Sequence, residues 1–307
     1  MGPRALIALC LAGINAPQLA AAEPPPRATM ASVLAAAPAD AWRRLDPENL
    51  LVMRFADSRV VIELAPAFAP AHVANIKALA RGGYFDGLAI VRVQDNFVAQ
   101  WGDPDAENEA RRPLPQDARR TLPGEFERRD LTPREAGFVR LKDQDGYARE
   151  VGHAGGFPAA RDPRTGAMWL AHCYATVGVG RDADANSGGG GELYAVIGHA
   201  PRQLDRNITV VGRVVAGIDS LASLKRGTGP LGFYETPEER TKLIDVRVAA
   251  DLASEAQPRL EALRTDTPTF QALVEARRNR RDDWYKRPAG YIDLCNAPLP
   301  VRPAPTP

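Results

Sequence analysis

From residue 50 onward the chain alternates apolar and polar positions in short runs, which predicts a protein built mainly of β-strands. Residues 50–55 and 59–64 are β-prone runs separated by Ala56, Asp57 and Ser58, a hairpin pattern. Pro70 then opens a helical stretch with Val73, Ile76 and Leu79 on one face, and Gly82 and Gly83 stop it. Residues 88–93 and 97–101 predict two more strands around the turn-prone Gln94, Asp95 and Asn96. Strand patterning returns at 175–179, 192–197 and 208–215. A short helix is expected at 217–224, and a final strand at 242–249 would set Ile244, Val246 and Val248 on one face. Many short strands with few helices imply a closed or nearly closed antiparallel β-barrel or a sandwich. Closure hides the edges that an open sheet leaves exposed.

The flanking segments follow other patterns. Residues 104–167 mix charges, prolines and glycines with weak periodicity, and predict an elaborate loop or small excursion with one strand near 137–142. Residues 23–49 are rich in Ala and Pro, a linker or packing arm with a short helix around 30–44. From 251 to 307 the pattern turns helical. It is strongest at 268–281, where Thr267 is placed to cap and Pro268 to open the helix. Arg277, Arg278, Arg280 and Arg281 mark a solvated basic helix end. Pro298, Pro300, Pro303, Pro305 and Pro307 suggest an extended or disordered edge. At the other end, Arg4, the apolar run 5–14 and Ala20, Ala21 and Ala22 before Glu23 form the three parts of an export signal, 1–22. That run is too short for a stable bilayer anchor. The expectation is an exported protein with no membrane span after processing, periplasmic in a double-membraned bacterium and secreted otherwise.

Composition narrows the picture further. With 307 residues, 45% hydrophobic and 25% charged, the chain can bury a sizeable core in one large domain with extensions or in two small ones. A net charge of +1 gives no general pull toward nucleic acid or an anionic membrane. The four histidines show no ligand spacing, so no metal is expected. Cleavage would leave Cys173 and Cys295. Either they pair in an oxidising compartment, or one is a buried thiol and the other sits in a mobile tail. Neither Gly-x-Ser-x-Gly nor His-Glu-x-x-His occurs, so hydrolase and metallopeptidase readings lack a motif.

One segment carries chemistry. Tyr84-Phe85-Asp86-Gly87, followed by Arg92, Phe97, Gln100, Gly102 and Asp103, resembles the signature of the cyclophilin family. A preceding helix holds Asn75, as in that family. Farther on, Gly190-Gly191-Glu192-Leu193-Tyr194 resembles the family's Gly-Ser-Gln-Phe-Phe strand. Leu204-Asp205 with Val211-Gly212-Arg213-Val214 resembles its Leu-Asp-Gly…Val-Phe-Gly-x-Val. The pieces stand in family order over about 50–250. The resemblance implies a closed eight-stranded antiparallel β-barrel capped by two helices, with a groove on its outer face. It also implies peptidyl-prolyl cis-trans isomerase activity on X–Pro bonds of exported proteins.

Rotation about a peptide bond costs roughly 18–20 kcal/mol, and X–Pro isomers interconvert over tens of seconds or longer. A catalyst of that rotation needs no cofactor. It must hold proline in an apolar pocket, anchor the flanking backbone and favour the twisted amide over the planar ones. By resemblance, Arg92 donates toward the prolyl nitrogen as resonance is lost. Gln100 bonds substrate backbone or orients Arg92. Phe97, Val98, Tyr194 and Leu204 line the proline pocket, and Gly180 lies along the groove. Several positions depart from the family: Gln203 replaces a Trp, Ile208 a pocket His, Val98 a Met, Tyr194 a Phe and Glu192 the groove Gln. The change at Ile208 bears on speed more than on the reaction, and the change at Gln203 predicts weak binding of cyclosporin-like ligands. The alternative function is a catalytically weak cyclophilin-like binding module or chaperone for Pro-containing segments.

Overall fold

The computed structural model describes residue 2 and residues 28–106, 108–282 and 284–305. The expected export signal, 1–22, lies outside the described residues but for Gly2. In chain order, helix α1 (Met30–Ala35) and strand β1 (Trp42–Arg44) precede a hairpin of β2 (Leu50–Arg54) and β3 (Arg59–Leu64). Helix α2 (Pro70–Arg81) leads into β4 (Ala89–Val93) and β5 (Val98–Gly102). Next come β6 (Phe138–Arg140), β7 (Glu150–Ala154), β8 (Phe157–Asp162) and β9 (Ala167–Leu170). β10 (Thr176–Val179), β11 (Leu193–Val196), β12 (Val210–Ala216), α3 (Ile218–Ala222) and β13 (Asp245–Val248) follow. β14 (Leu260–Leu263), α4 (Pro268–Arg278) and β15 (Val301–Pro303) come last.

Eight strands make one antiparallel sheet in the order β13-β2-β3-β12-β10-β11-β5-β4. The sheet curls around a core in which Met53, Ile62, Ile90, Trp101 and Leu193 are fully buried. Helix α2 closes that core with Val73, Ile76 and Leu79, the face its periodicity predicted. The curl stops short of a closed barrel, which corrects the expected closure. β13 pairs only with β2, and β4 only with β5. The free edge of β4 is occupied instead by irregular chain. Gly227 N–H donates to the Val93 carbonyl at 3.0 Å and Tyr234 N–H to Val91 at 3.1 Å, while Ile90 N–H donates to Thr241 at 2.9 Å. A loop thus satisfies the edge groups that a closing strand would have taken. Along that edge of β4 there are isolated bridges from Ala89 to Lys242 and from Arg92 to Phe233. Ile244, expected on one face with Val246 and Val248, stands just before β13 begins and is 51% exposed, whereas the two valines are buried.

The polar stretch 104–167 is more ordered than its pattern suggests. With β9 it yields a four-stranded sheet, β6-β7-β8-β9. Two residues disguise it. Pro158 lies within β8, and Gly152 within β7 packs so tightly that a Cβ there would stand 2.1 Å from the Val139 carbonyl oxygen. Both residue types normally argue against a strand interior. The stretch is tied to the main core by side chains. Buried Asn75 donates to the carbonyls of Arg119 and Gly189 at 2.8 and 2.6 Å and accepts from Arg119 N–H at 2.7 Å. Helix α2 has no side-chain cap of its own, since Ala69 stands at its N-cap. Glu125 supplies it from a distance, accepting from the Ala71 and His72 N–H groups at 3.1 and 2.9 Å. A carboxylate there satisfies two of the orphan donors and faces the positive end of the helix.

The two terminal flanks pack together. β1 from the arm joins β14 and β15 in a three-stranded sheet, so the C-terminal extension holds strands as well as its helix. Their shared core contains Trp42, Trp169, Phe270, Leu273 and Leu294. Thr267 caps α4 as expected, its hydroxyl accepting from Phe270 N–H at 3.2 Å. The basic end of α4 is not simply solvated, however. Arg278 is buried, and its guanidinium grips Asp143 from the 104–167 stretch while also meeting Glu275. Cys173 and Cys295 form a disulfide with Cα atoms 5.0 Å apart, across 122 residues of chain.

Replacing Cys295 by Ser should therefore cost about 2–5 kcal/mol of stability, as removal of a long-loop disulfide does. Denaturant unfolding checks this, and adding reductant to the native protein should shift its midpoint the same way. Coincident midpoints with and without the bond would show that the C-terminal docking holds without it.

Candidate active site

The site is built by register. Arg92 on β4 lies opposite Gln100 on β5, Gln100 opposite Tyr194 on β11, and Tyr194 opposite Gly178 on β10. Side chains on a strand alternate between faces, so these four residues form one row across the outer face of the sheet. Their neighbours Ala99, Trp101, Leu193, Ala195, Val177 and Val179 point the other way, into the core. An irregularity in the β4–β5 pairing between Ile90 and Arg92 brings Arg92 into line with Gln100.

Arg92 is half-buried and held from several sides. Its Nη1 donates to Gln100 Oε1 at 3.1 Å, its Nε to the Leu231 carbonyl at 2.6 Å, and its Nη2 to Gln94 Oε1. The guanidinium carbon lies 5.5 Å from the centre of the Phe97 ring and 5.4 Å from that of Phe233, between two aromatic residues. Burial pulls its pKa below the ordinary arginine value, while the Glu192 carboxylate works in the opposite direction. A guanidinium keeps its charge at neutral pH regardless. Gln100 turns its other end to Glu192, donating from Nε2 to the carboxylate. The Glu192 side chain runs beside Gly180, where an added Cβ would come within 3.1 Å of it.

Next to this polar row is an apolar patch. Val98, Tyr194 and Val196 are buried there, with Phe97 and Ile208 packed against them. Four of the residues expected to hold proline, Phe97, Val98, Tyr194 and Ile208, are therefore together. Leu204 is not part of that cluster. It sits half-buried at the end of a short 3₁₀ turn, Arg202–Leu204. The adjoining Gln203 lines a cleft of about 640 Å³ with Asn207, Phe126 and Tyr147.

Sequence reasoning missed Phe233, the Leu231 carbonyl and His172. The first two lie in a loop with no periodic signal. His172 carries its ring to 2.9 Å from the Tyr194 hydroxyl, a contact that no spacing along the chain announces. Among the described residues, no group of three or more His, Cys, Asp or Glu side chains could hold a metal ion. Among them also, no helix is long and apolar enough to cross a membrane.

The site thus sets a fixed cation beside an apolar patch on one face of the sheet. Comparison with known proteins identifies the family. The family model described as cyclophilin type peptidyl-prolyl cis-trans isomerase matches residues 50–248. A probable peptidyl-prolyl cis-trans isomerase of Brucella suis is 31% identical over 207 residues, covering 67% of this chain and 85% of that protein. Peptidyl-prolyl cis-trans isomerase B of Bacillus subtilis is 45% identical over 47 residues, 15% of this chain and 33% of that one. The crystal structure of cyclophilin AquaCyp293 from Hirschia baltica is similar with a TM-score of 0.66 and 30% identity. That match covers 90% of this chain and 97% of the other, so it reaches well beyond the segment the family model spans. The chain belongs to the cyclophilin-type peptidyl-prolyl cis-trans isomerase family.

The register row leaves no room at one position. A Cβ on Gly178 would stand 2.3 Å from the Tyr194 hydroxyl oxygen and 2.4 Å from the ring carbon that bears it. Gly178→Ala should displace that ring at a cost of about 1–3 kcal/mol, the usual range for overpacking. The expected result is a raised KM for an Ala-Pro peptide together with a lowered melting temperature. Unchanged values of both would mean that Tyr194 has slack.

Proposed function

We propose that the outer-face groove accelerates isomerisation of X–Pro bonds, with Arg92 stabilising the twisted amide and the patch of Phe97, Val98, Tyr194 and Ile208 receiving the proline ring. The observation that carries this reading is the fixed posture of Arg92 at the edge of that patch. A guanidinium has five N–H groups. Among the described residues, Leu231, Gln100 and Gln94 engage three of those on Arg92, so two remain for a substrate. As the amide twists, its nitrogen loses resonance and gains a lone pair, and a charged donor held in advance favours that state over either planar isomer. The bonds to Gln100, Gln94 and Leu231 keep the donor from reorienting when charge develops, which is where such preorganisation acts. Gln100 thus serves chiefly to orient Arg92, and Glu192 anchors Gln100 in turn. Leu204, apart from the patch, contributes to the groove wall on the side of Gln203.

Arg92→Ala should lower kcat/KM on an Ala-Pro peptide at least about tenfold, roughly 1.4 kcal/mol of barrier, with the fold retained. Arg92→Lys should restore little, because an ammonium lacks the planar fork that Gln100, Gln94 and Leu231 hold. Equal rates in wild type and Arg92→Ala would remove Arg92 from this role, whereas a wild type without activity would favour the alternative, a groove that binds Pro-containing segments without accelerating them.

The substrates of this reading are exported proteins. Two features support it: the three-part N-terminal pattern over 1–22, and a disulfide between Cys173 and Cys295, a bond that persists in oxidising compartments. Mass measurement of the protein recovered from its native compartment should place the new N-terminus at Glu23. A protein recovered with Met1 or Gly2 at its start would overturn the export reading.

A further inference from the structure

We propose that His172 is a positioning residue of the isomerase groove, which holds the Tyr194 hydroxyl and through it the apolar floor where proline sits. The inference rests on the reading of Tyr194 as part of that floor. The ring of Tyr194 is buried in the patch with Val98 and Val196, 5% exposed, and its hydroxyl reaches away from the patch toward β10. There it meets the Nε2 atom of His172 at 2.9 Å, with the two rings inclined by only 14°. His172 is itself fully buried. A buried hydroxyl without a bonding partner destabilises the conformation that buries it. Tyr194 can therefore stay in the floor only because His172 is there to receive it. A phenylalanine at this position would make no such demand.

The direction of the proton follows from the other side of the ring. His172 Nδ1 is 3.0 Å from Asp205 Oδ1, and the same oxygen accepts the His172 backbone N–H at 2.9 Å. The Asp205 carboxylate is buried, which by itself would raise its pKa. The His172 and Arg202 contacts outweigh that and hold it below the ordinary aspartate value. An ionised carboxylate only accepts, so Nδ1 carries the ring proton. In the neutral imidazole Nε2 is then the acceptor, and the Tyr194 hydroxyl donates.

Asp205 is fixed in turn. Arg202 Nε donates to its Oδ2 at 2.6 Å, and the two Nη atoms of Arg202 fork onto Asp145 at 2.9 and 3.1 Å. Asp145 belongs to the 104–167 stretch, so the chain Tyr194–His172–Asp205–Arg202–Asp145 runs from the pocket floor into that segment. The backbone is pinned as well. Cys173, next in sequence, is disulfide-bonded to Cys295, and its N–H donates to Thr176 Oγ1 at 3.0 Å. The tertiary structure around the pocket thus sets where the imidazole stands, and the imidazole sets where the Tyr194 ring stands.

A rescue experiment on the full chain separates positioning from ordinary structural support. His172→Leu leaves the hydroxyl unpaired and should raise KM for an Ala-Pro peptide about fivefold, with kcat less affected. Tyr194→Phe sets the reference value, because it keeps the ring in the floor while the demand for a partner vanishes with the hydroxyl. The double variant should return to the Tyr194→Phe value, a coupling expected of residues that act as a pair. Two results would overturn the inference: a double variant with a KM above that of Tyr194→Phe, or a folded His172→Leu with wild-type KM. Should His172→Leu not fold, ¹⁵N NMR of the wild-type ring decides. The expected signature is a protonated Nδ1 and a bare Nε2 whose shift moves in Tyr194→Phe, and an Nε2 indifferent to that change would be decisive against it. Peptide affinity measured by NMR titration reports on the floor even without turnover. A protein that binds but does not turn over would fault the role of Arg92 and leave the role of His172 to be judged by the rescue.

Discussion

The register of β5 between β4 and β11 is the constraint on which the rest of this molecule depends. It sets Ala99 and Trp101 into the core and Val98 and Gln100 onto the outer face. A slip of one residue would reverse every one of these, burying an amide in the core and exposing the largest fully buried side chain in the sheet. Because the core enforces this register strongly, the outer row of Arg92, Gln100, Tyr194 and Gly178 comes with it. The site is therefore a by-product of hydrophobic packing on the opposite face. Its geometry is as rigid as the core that dictates it.

That rigidity matters because the proposed chemistry involves no bond making or breaking between protein and substrate. All that Arg92 offers is a charge in the right place, and its worth falls with every degree of freedom left to its long side chain. The structure removes that freedom with three hydrogen bonds and two flanking rings. The same logic applies to the floor. Tyr194 brings a polar atom into an apolar patch, and His172 and Gly178 accommodate it, one by hydrogen-bonding to its hydroxyl and one by having no side chain.

The extra segments are integral to this scaffold. Glu125 caps α2, Asn75 stitches residues 119 and 189 to the same helix, and Asp143 takes up the charge of Arg278 from the C-terminal extension. The disulfide then joins that extension to the residue beside His172. The match to AquaCyp293 covers 90% of this chain, so it takes in residues outside 50–248 as well.

Local pattern alone determined a good deal. The alternation in 50–64 and 88–101, the helical face of Val73, Ile76 and Leu79, and the cap at Thr267 each depend on near neighbours, so they could be read directly and were found. The motif around Arg92 and Gln100 was legible through its resemblance to a family signature, whose residues lie close together on one hairpin. What the tertiary structure decided involves partners far apart in the chain. β4 is edged by a loop instead of a closing strand, since a free edge accepts any chain that can bond to it. The strands around Gly152 and Pro158 exist because neighbouring strands support residues that locally oppose them. Leu204 stands outside the patch it was expected to line, and His172, 22 residues from Tyr194, stands against it. Periodicity tells which face a side chain takes; only the folded chain tells what waits there.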